Sequence, residues 1–256
     1  LNREGEQAML RAVLFDFNGI IINDEAIHEQ LLERLLLEEN LRPQPGEFQA
    51  IALGRSDRVC LTEMFARRGR ILDETDLSRL LQRKAAAYRE ILATLEPLPL
   101  YPGLTDFLLK LRLAGLRLAL VSGAMRLEIE TVLDRAQLQM QFPVIVAGDD
   151  ITTSKPDPAG YLEAIAQLNR AEPGLQLQPS ECLAIEDSFA GIEAAKRAGI
   201  PVVGVANMFP QHMLLRVANW SVDELAELEL DRVMRVFAGE ERSVAAPQVS
   251  AIAEFG

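Results

Sequence analysis

Short runs of apolar, β-prone residues recur along the chain at Ala12 to Phe17, Leu118 to Ser122, Val144 to Ala147, Leu183 to Glu186 and Val202 to Val205. Such runs, bounded by polar or glycine positions, predict strands buried on both faces. Between the later ones the apolar positions switch to helical spacing, over Gly103 to Ala114, Arg126 to Ala136, Pro158 to Asn169 and Phe189 to Ala198. Strand alternating with helix predicts an α/β fold, a Rossmann-like parallel sheet covered by helices on both faces.

The first interval breaks this rhythm. From Asp24 to Leu95 no strand pattern occurs, whereas Ile27, Leu31, Leu32, Leu35 and Leu36, then Val59, Met64 and Phe65, then Leu77, Leu80, Leu81, Tyr88 and Leu92 fall at helical spacing. This predicts a small helical bundle inserted after the first strand. Its exit, "LEPLPLYPGL", is proline-rich, which suits a stiff connector or hinge rather than a packed element. At 256 residues the chain is long enough for two domains. The expected division is a core from residues 9–22 plus 98–240 and a helical cap from 23–97, with tails at 1–8 and 243–256.

Charge narrows the partners. The net charge is -12, with 38 acidic against 26 basic residues and no block of cations. A nucleic-acid partner is not expected, because backbone binding rests on clustered Lys and Arg. No apolar run reaches the ~20 residues of a membrane span, and no basic segment precedes an apolar one at the start, so a soluble cytoplasmic protein is expected, as monomer or weak homodimer. An acidic chain can still bind a small anion where a metal, a helix N-terminus or one lysine gathers positive charge. Cys60 and Cys182 show no metal or redox spacing and read as buried small hydrophobes. His28 and His212 are the two histidines, without partners at ligand spacing, and His28 reads as a packing side chain.

In an open parallel sheet, ligands bind beyond the carboxyl ends of the strands. The polar residues there are Asp16 and Asn18 after the first strand, Ser122 and Gly123 after the second, Lys155 in "SKPDP", and Glu186, Asp187 and Ser188 at the fourth. Taken singly, Asp16 could cap a turn, Ser188 could cap the next helix and Lys155 could be an exposed loop residue. Together at one edge they supply a nucleophile, a hydroxyl and amides for an anion, a cation, and carboxylates for a hard metal. No G-x-G-x-x-G, Walker loop or G-x-S-x-G competes with this reading.

These four clusters in this order, the helical insert after the first, and "EAAKRAGI" after Gly191 resemble the haloacid dehalogenase superfamily, in its branch of phosphatases and β-phosphoglucomutases with a helical cap. The resemblance implies Asp16 as nucleophile toward a small phosphorylated metabolite, forming an aspartyl-phosphate. It implies Mg²⁺ held by the side chains of Asp16 and Asp187 and the main-chain carbonyl of Asn18, with Glu186 auxiliary. Lys155 would balance Asp16 and the phosphoryl group, and Ser122 and Gly123 would hold its oxygens. In the cap, "LGRSDR" resembles the loop that closes over substrate, where Arg55 could meet a second anionic group.

Two features depart from the family. Position 18 is normally an aspartate that protonates the leaving oxygen and then activates water, and an amide cannot exchange that proton. The usual continuation of aspartate, small hydroxyl residue and glutamate is here Asn23, Asp24 and Glu25. A slowed phosphatase is therefore expected, with a β-phosphoglucomutase-like mutase or an attenuated binding or regulatory protein as alternatives. Dehalogenases and phosphonoacetaldehyde hydrolases also lack the second aspartate. The former act without the metal pair kept here, and the latter need a cap lysine where the cap loop offers only Arg55 and Arg58.

Overall fold

The computed structural model describes residues 9–241. The expected tails, at 1–8 and 243–256, lie outside them. Six parallel strands form one sheet in the order β3-β2-β1-β4-β5-β6. β1 (Ala12–Phe15), β2 (Arg117–Val121), β3 (Val144–Val146), β4 (Cys182–Glu186) and β5 (Val202–Val205) lie close to the expected runs, and β6 (Trp220–Val222) adds an edge strand. β6 escaped the pattern because it has three residues, two of them half-buried, too few for a period to register.

Alternation along the central strands explains why both faces are covered. Val13 and Phe15 of β1, with Leu183 and Ile185 of β4, enter one apolar cluster, while Ala12 and Leu14, with Cys182 and Ala184, enter the other. The first cluster packs beneath α5 (Leu104–Leu113), α6 (Arg126–Arg135) and α10 (Leu230–Phe237), where Phe15 meets Phe107 and Phe142 edge to face. α7 (Ala159–Ala171), α8 (Phe189–Arg197) and the short α9 (Gln211–Leu214) cover the second. The two cysteines are buried and unpaired. Among the described residues no helix is long and apolar enough to cross a membrane.

Between β1 and β2 stand α1 (Glu25–Glu38), α2 (Glu47–Ile51), α3 (Asp57–Ala66) and α4 (Glu74–Thr94). They close their own apolar cluster around Leu32, Leu35, Phe48, Met64, Phe65 and Leu80. Asp73 caps α4, its carboxylate accepting from the amide of Asp76 at 2.8 Å. The proline-rich exit, expected as a stiff connector or hinge, is hydrogen-bonded to the chain that leaves β1. Asn23 donates to the carbonyl of Pro99 at 2.8 Å and Tyr101 to that of Ile21 at 3.2 Å, so both chain crossings into the cap run side by side.

The cap rests closed on the core. An added Cβ on Gly123 would come within 2.8 Å of the Ser56 backbone, and one on Gly54 within 2.2 Å of Ser188 Oγ. The Ser56 amide donates to Ser154 Oγ at 2.7 Å. Glycine at these two positions lets the loop before α3 touch the loops that follow β2 and β4.

Candidate active site

The sheet order reverses at β1, so the crevice beyond β1 and β4 is the switch point at which open α/β sheets hold ligands. Register does the placing. Phe15 pairs with Ile185, and the Asp16 amide donates to the Ile185 carbonyl at 3.0 Å, which sets Asp16 level with Glu186. Lys155, in the loop before α7, puts Nζ 2.7 Å from both Asp16 Oδ1 and Glu186 Oε1. The Phe17 amide also donates to Asp16 Oδ1 at 2.7 Å. Tyr161 on α7 donates to Glu186 Oε1 at 2.5 Å.

Three buried carboxylates, Asp16, Glu186 and Asp187, thus face one buried ammonium. Burial first, then the charge of Glu186, pushes Asp16 up to about 7 despite Lys155. Burial, followed by the charges of Asp16 and Glu186, holds Asp187 well above the usual carboxylate range. Burial works against the Lys155 ammonium, yet Asp16 and Glu186 outweigh it and keep Lys155 charged. One oxygen from each carboxylate lies within 4.8 Å of the others. Asp187 Oδ2 is buried without a hydrogen-bond partner. Excess negative charge, an orphaned oxygen and an all-oxygen donor set fit a hard divalent cation.

Gly19 forms the floor of this cradle. Its φ is +76°, and an added Cβ would fall 1.8 Å from Asp187 Oδ2. Asn207 secures the turn by donating from Nδ2 to the Gly19 carbonyl at 2.6 Å. Gly19→Ala is expected to cost about 1 to 3 kcal/mol in urea unfolding, from left-handed strain. It is also expected to weaken divalent-cation binding tenfold or more by displacing Asp187. A titration matching that of the unsubstituted protein would remove Gly19 from the site.

The other expected residues gather here. Asp16, Asn18, Gly123, Arg55 and Asp187 line one cavity between core and cap. Ser122, Gly123 and Lys155 line a small hollow beside it. Ser122 is buried, and its Oγ accepts from the Ala124 amide at 3.0 Å. Ser188 caps α8 by accepting from the Gly191 amide at 3.0 Å, so its capping role is real. Arg55 lines the cavity, but its guanidinium donates to Glu63 Oε2 at 2.8 Å and to the Ile51 carbonyl at 3.2 Å.

Behind Asn18 runs a buried polar chain. The Asn18 amide donates to Asp24 Oδ1 at 3.0 Å, and Tyr88 donates to Asp24 Oδ2. Burial alone would raise Asp24, but His28 beside it and the donors Asn18 and Tyr88 hold it below its ordinary value. His28 Nε2 lies 3.2 Å from Asp24 Oδ2, and its Nδ1 lies 2.7 Å from Lys84 Nζ. An ammonium can only donate, so Nδ1 accepts and the imidazole proton sits on Nε2, facing Asp24. Lys84 also reaches Asp57 Oδ2 at 2.6 Å and Glu128 Oε1 at 3.2 Å. His28, Asp57 and Glu128 are close enough to hold an ion, but the ammonium stands among them.

Sequence reading missed Lys84 beside the cap loop. A signal was present, since Leu77, Leu80, Leu81, Lys84 and Tyr88 share the apolar spacing of one helix face. Burial works against the Lys84 charge, but Asp57 and Glu128 keep it protonated. A lysine so held is no imine-forming nucleophile. For Glu128 no local signal exists, because its partner lies 44 positions away. His28, read as a packing side chain, lines the cavity.

Carboxylates and a lysine gather at the switch point of a parallel α/β sheet, beneath a helical insert. The model of the haloacid dehalogenase-like hydrolases matches residues 13–205, and the chain belongs to that family. It is 30% identical over 226 residues to the putative phosphatase YhcW of Bacillus subtilis (strain 168), covering 87% of this chain and 95% of that one. To protein CbbY of Rhodobacter capsulatus it is 26% identical over 222 residues, covering 85% and 94%. Among solved structures, an Asp-to-Asn variant of CbbY from Rhodobacter sphaeroides in complex with xylulose-1,5-bisphosphate superposes with a TM-score of 0.74 at 24% identity, covering 86% of this chain and 97% of that one. At that identity the likeness shows the fold.

Proposed function

We propose that the chain is a Mg²⁺-dependent phosphatase of small phosphate monoesters, with residues 23–97 acting as the cap. The observation that carries this is the buried cluster of Asp16, Lys155, Glu186 and Asp187 at the switch point. Asp16 attacks phosphorus, its carboxylate oxygen forms the new P–O bond, and the alcohol leaves with the electrons of the old one. Water then cleaves the aspartyl-phosphate and restores the carboxylate. Lys155 offsets the charge of Asp16 and of the phosphoryl oxygens, which the Ser122 hydroxyl and Gly123 amide hold. Asp16, Asp187 and the Asn18 carbonyl, with Glu186 as auxiliary carboxylate, would hold Mg²⁺, which would supply charge neutralisation between carboxylate and phosphate.

Asn18 can donate a hydrogen bond to the leaving oxygen but cannot transfer a proton, so the alkoxide must draw its proton from water and turnover is slow. That same residue favours a second reading, a phosphate-binding protein without turnover. Phosphate release from a panel of phosphorylated metabolites, with Mg²⁺ and with EDTA, separates the two. Release that is equal in both conditions, or absent throughout, ends the phosphatase reading.

Metal binding should also show in stability. Asp16 and Asp187 have folded-state values above their unfolded ones, so the metal-free protein binds extra protons and its stability falls as pH rises from about 4 through about 7. A cation needs those carboxylates deprotonated, so the Mg²⁺-induced rise in Tm grows across the same window. At 100 times Kd the gain is about 2.7 kcal/mol, or roughly 5 to 10 °C near pH 8. A gain independent of pH would contradict the assignment.

A further inference from the structure

The cavity in front of Asp16 is walled on the cap side by Leu32, Phe48, Ala52 and Leu53 together with Asp57 and Glu25. Three cap groups there could meet a second anion on the substrate, and each is engaged elsewhere. Lys84, the cap's single lysine, has a side chain 0% exposed and turns to Asp57, Glu128 and His28. Arg55 turns to Glu63 and the Ile51 carbonyl. His28 turns Nε2 to Asp24 and Nδ1 to Lys84. Around the one buried ammonium stand two carboxyl groups, Asp57 and Glu128, and Asp57, which lines the cavity, lies between that ammonium and the cavity.

We infer that the cap selects the leaving alcohol by charge: it admits a phosphate monoester whose alcohol is sugar-sized and neutral, or bears a protonated amine, and turns away one bearing a second phosphate. Asp57 is the residue that sets this preference. The inference rests on the phosphatase reading for the reaction at Asp16 but concerns the far end of the substrate. A second phosphate would be brought against Asp57 in a space with little water to screen the repulsion. A protonated amine there would find a carboxylate partner, and an apolar ring face would lie on Phe48 and Leu53. The crystal of the CbbY variant contains a bisphosphate, so the two proteins are expected to differ in this respect.

The test uses glucose 6-phosphate, glucosamine 6-phosphate and glucose 1,6-bisphosphate with Mg²⁺, each measured both by phosphate release and by calorimetric titration. The bisphosphate is expected to lie at least tenfold below glucose 6-phosphate in kcat/KM and in affinity, with glucosamine 6-phosphate equal to glucose 6-phosphate or better. Asp57→Asn uncovers the Lys84 charge and should narrow the discrimination tenfold or more. Asp57→Ser, which also removes the carboxylate, should narrow it in the same direction. A bisphosphate bound or turned over as well as its monophosphate, a ratio unmoved in both variants, or no binding of any of the three overturns the inference. If the three bind in the expected order but none is hydrolysed, the phosphatase reading fails and the charge selection stands.

Discussion

Replacing Asn18 by aspartate is expected to raise phosphate release by about 10²-fold or more, within the ~10² to 10⁴ that a positioned proton donor contributes. Asn18 lines the cavity beside Asp16 and Asp187, so a carboxyl group there is placed to protonate the departing oxygen. Its local surroundings favour the protonated form. The Asn18 amide now donates to Asp24, and a new carboxyl group opposite a buried carboxylate is pushed up by like charge and burial. The same contact makes the exchange costly. Loss of the amide donor and the opposition of two carboxyl groups should lower stability by about 1 to 3 kcal/mol. Adding Asp24→Ser, which returns the small hydroxyl residue of the family pattern, should recover most of that loss. An Asn18→Asp protein with unchanged turnover would end the proton-transfer account, whatever its stability.

Asp16→Asn should abolish release, by a factor of 10³ or more, because an amide cannot form the phosphoryl ester on which turnover depends. Its effect on stability runs the other way. A buried carboxylate whose folded value is about 7, against 3.8 ordinarily, subtracts stability at every pH above the lower value, fully so above the upper one. A neutral amide removes that penalty. In EDTA at pH 8 the variant should therefore be as stable as the parent or more stable, by up to a few kcal/mol, while Lys155 keeps Glu186 as its partner. Loss of activity with a gain in metal-free stability marks a residue kept for chemistry. A variant that loses both would make Asp16 a structural group.

Asn18 and Asp24 are best understood as one matched pair. An amide opposite a carboxylate makes a hydrogen bond that two carboxylates could make only by sharing a proton. Both positions depart from the family pattern, and the structure places them 3.0 Å apart. The departure at Asn18 is therefore built into the hinge and into the polar chain that continues through His28 to Lys84.

The sheet, the covering helices and the helical insert were legible because each is encoded locally. Both-face burial writes continuous apolar runs into Ala12 to Phe15 and Cys182 to Glu186, and one-face burial writes a 3.6-residue period into α4 and α7. β6 was not, since three residues carry no period. That the candidate residues gather at one edge was legible for a related reason. Asp16, Ser122, Lys155, Glu186 and Asp187 each follow or abut a strand or helix that announces itself, and the sheet topology sends all such ends to one edge.

Partnership is what the sequence withheld. By itself it determined the fold class, the helical insert and the family, all of which follow from residue type and spacing along the chain. Tertiary structure alone decided that Lys84 lies buried among Asp57, Glu128 and His28, that Arg55 is tied to Glu63, and that Asp24 receives the Asn18 amide. The reason is physical. A hydrogen bond or ion pair is made over about 3 Å in space, and those partners stand as many as 56 positions apart in the chain. Which cation is free to meet a substrate is settled when the cap folds down onto the core.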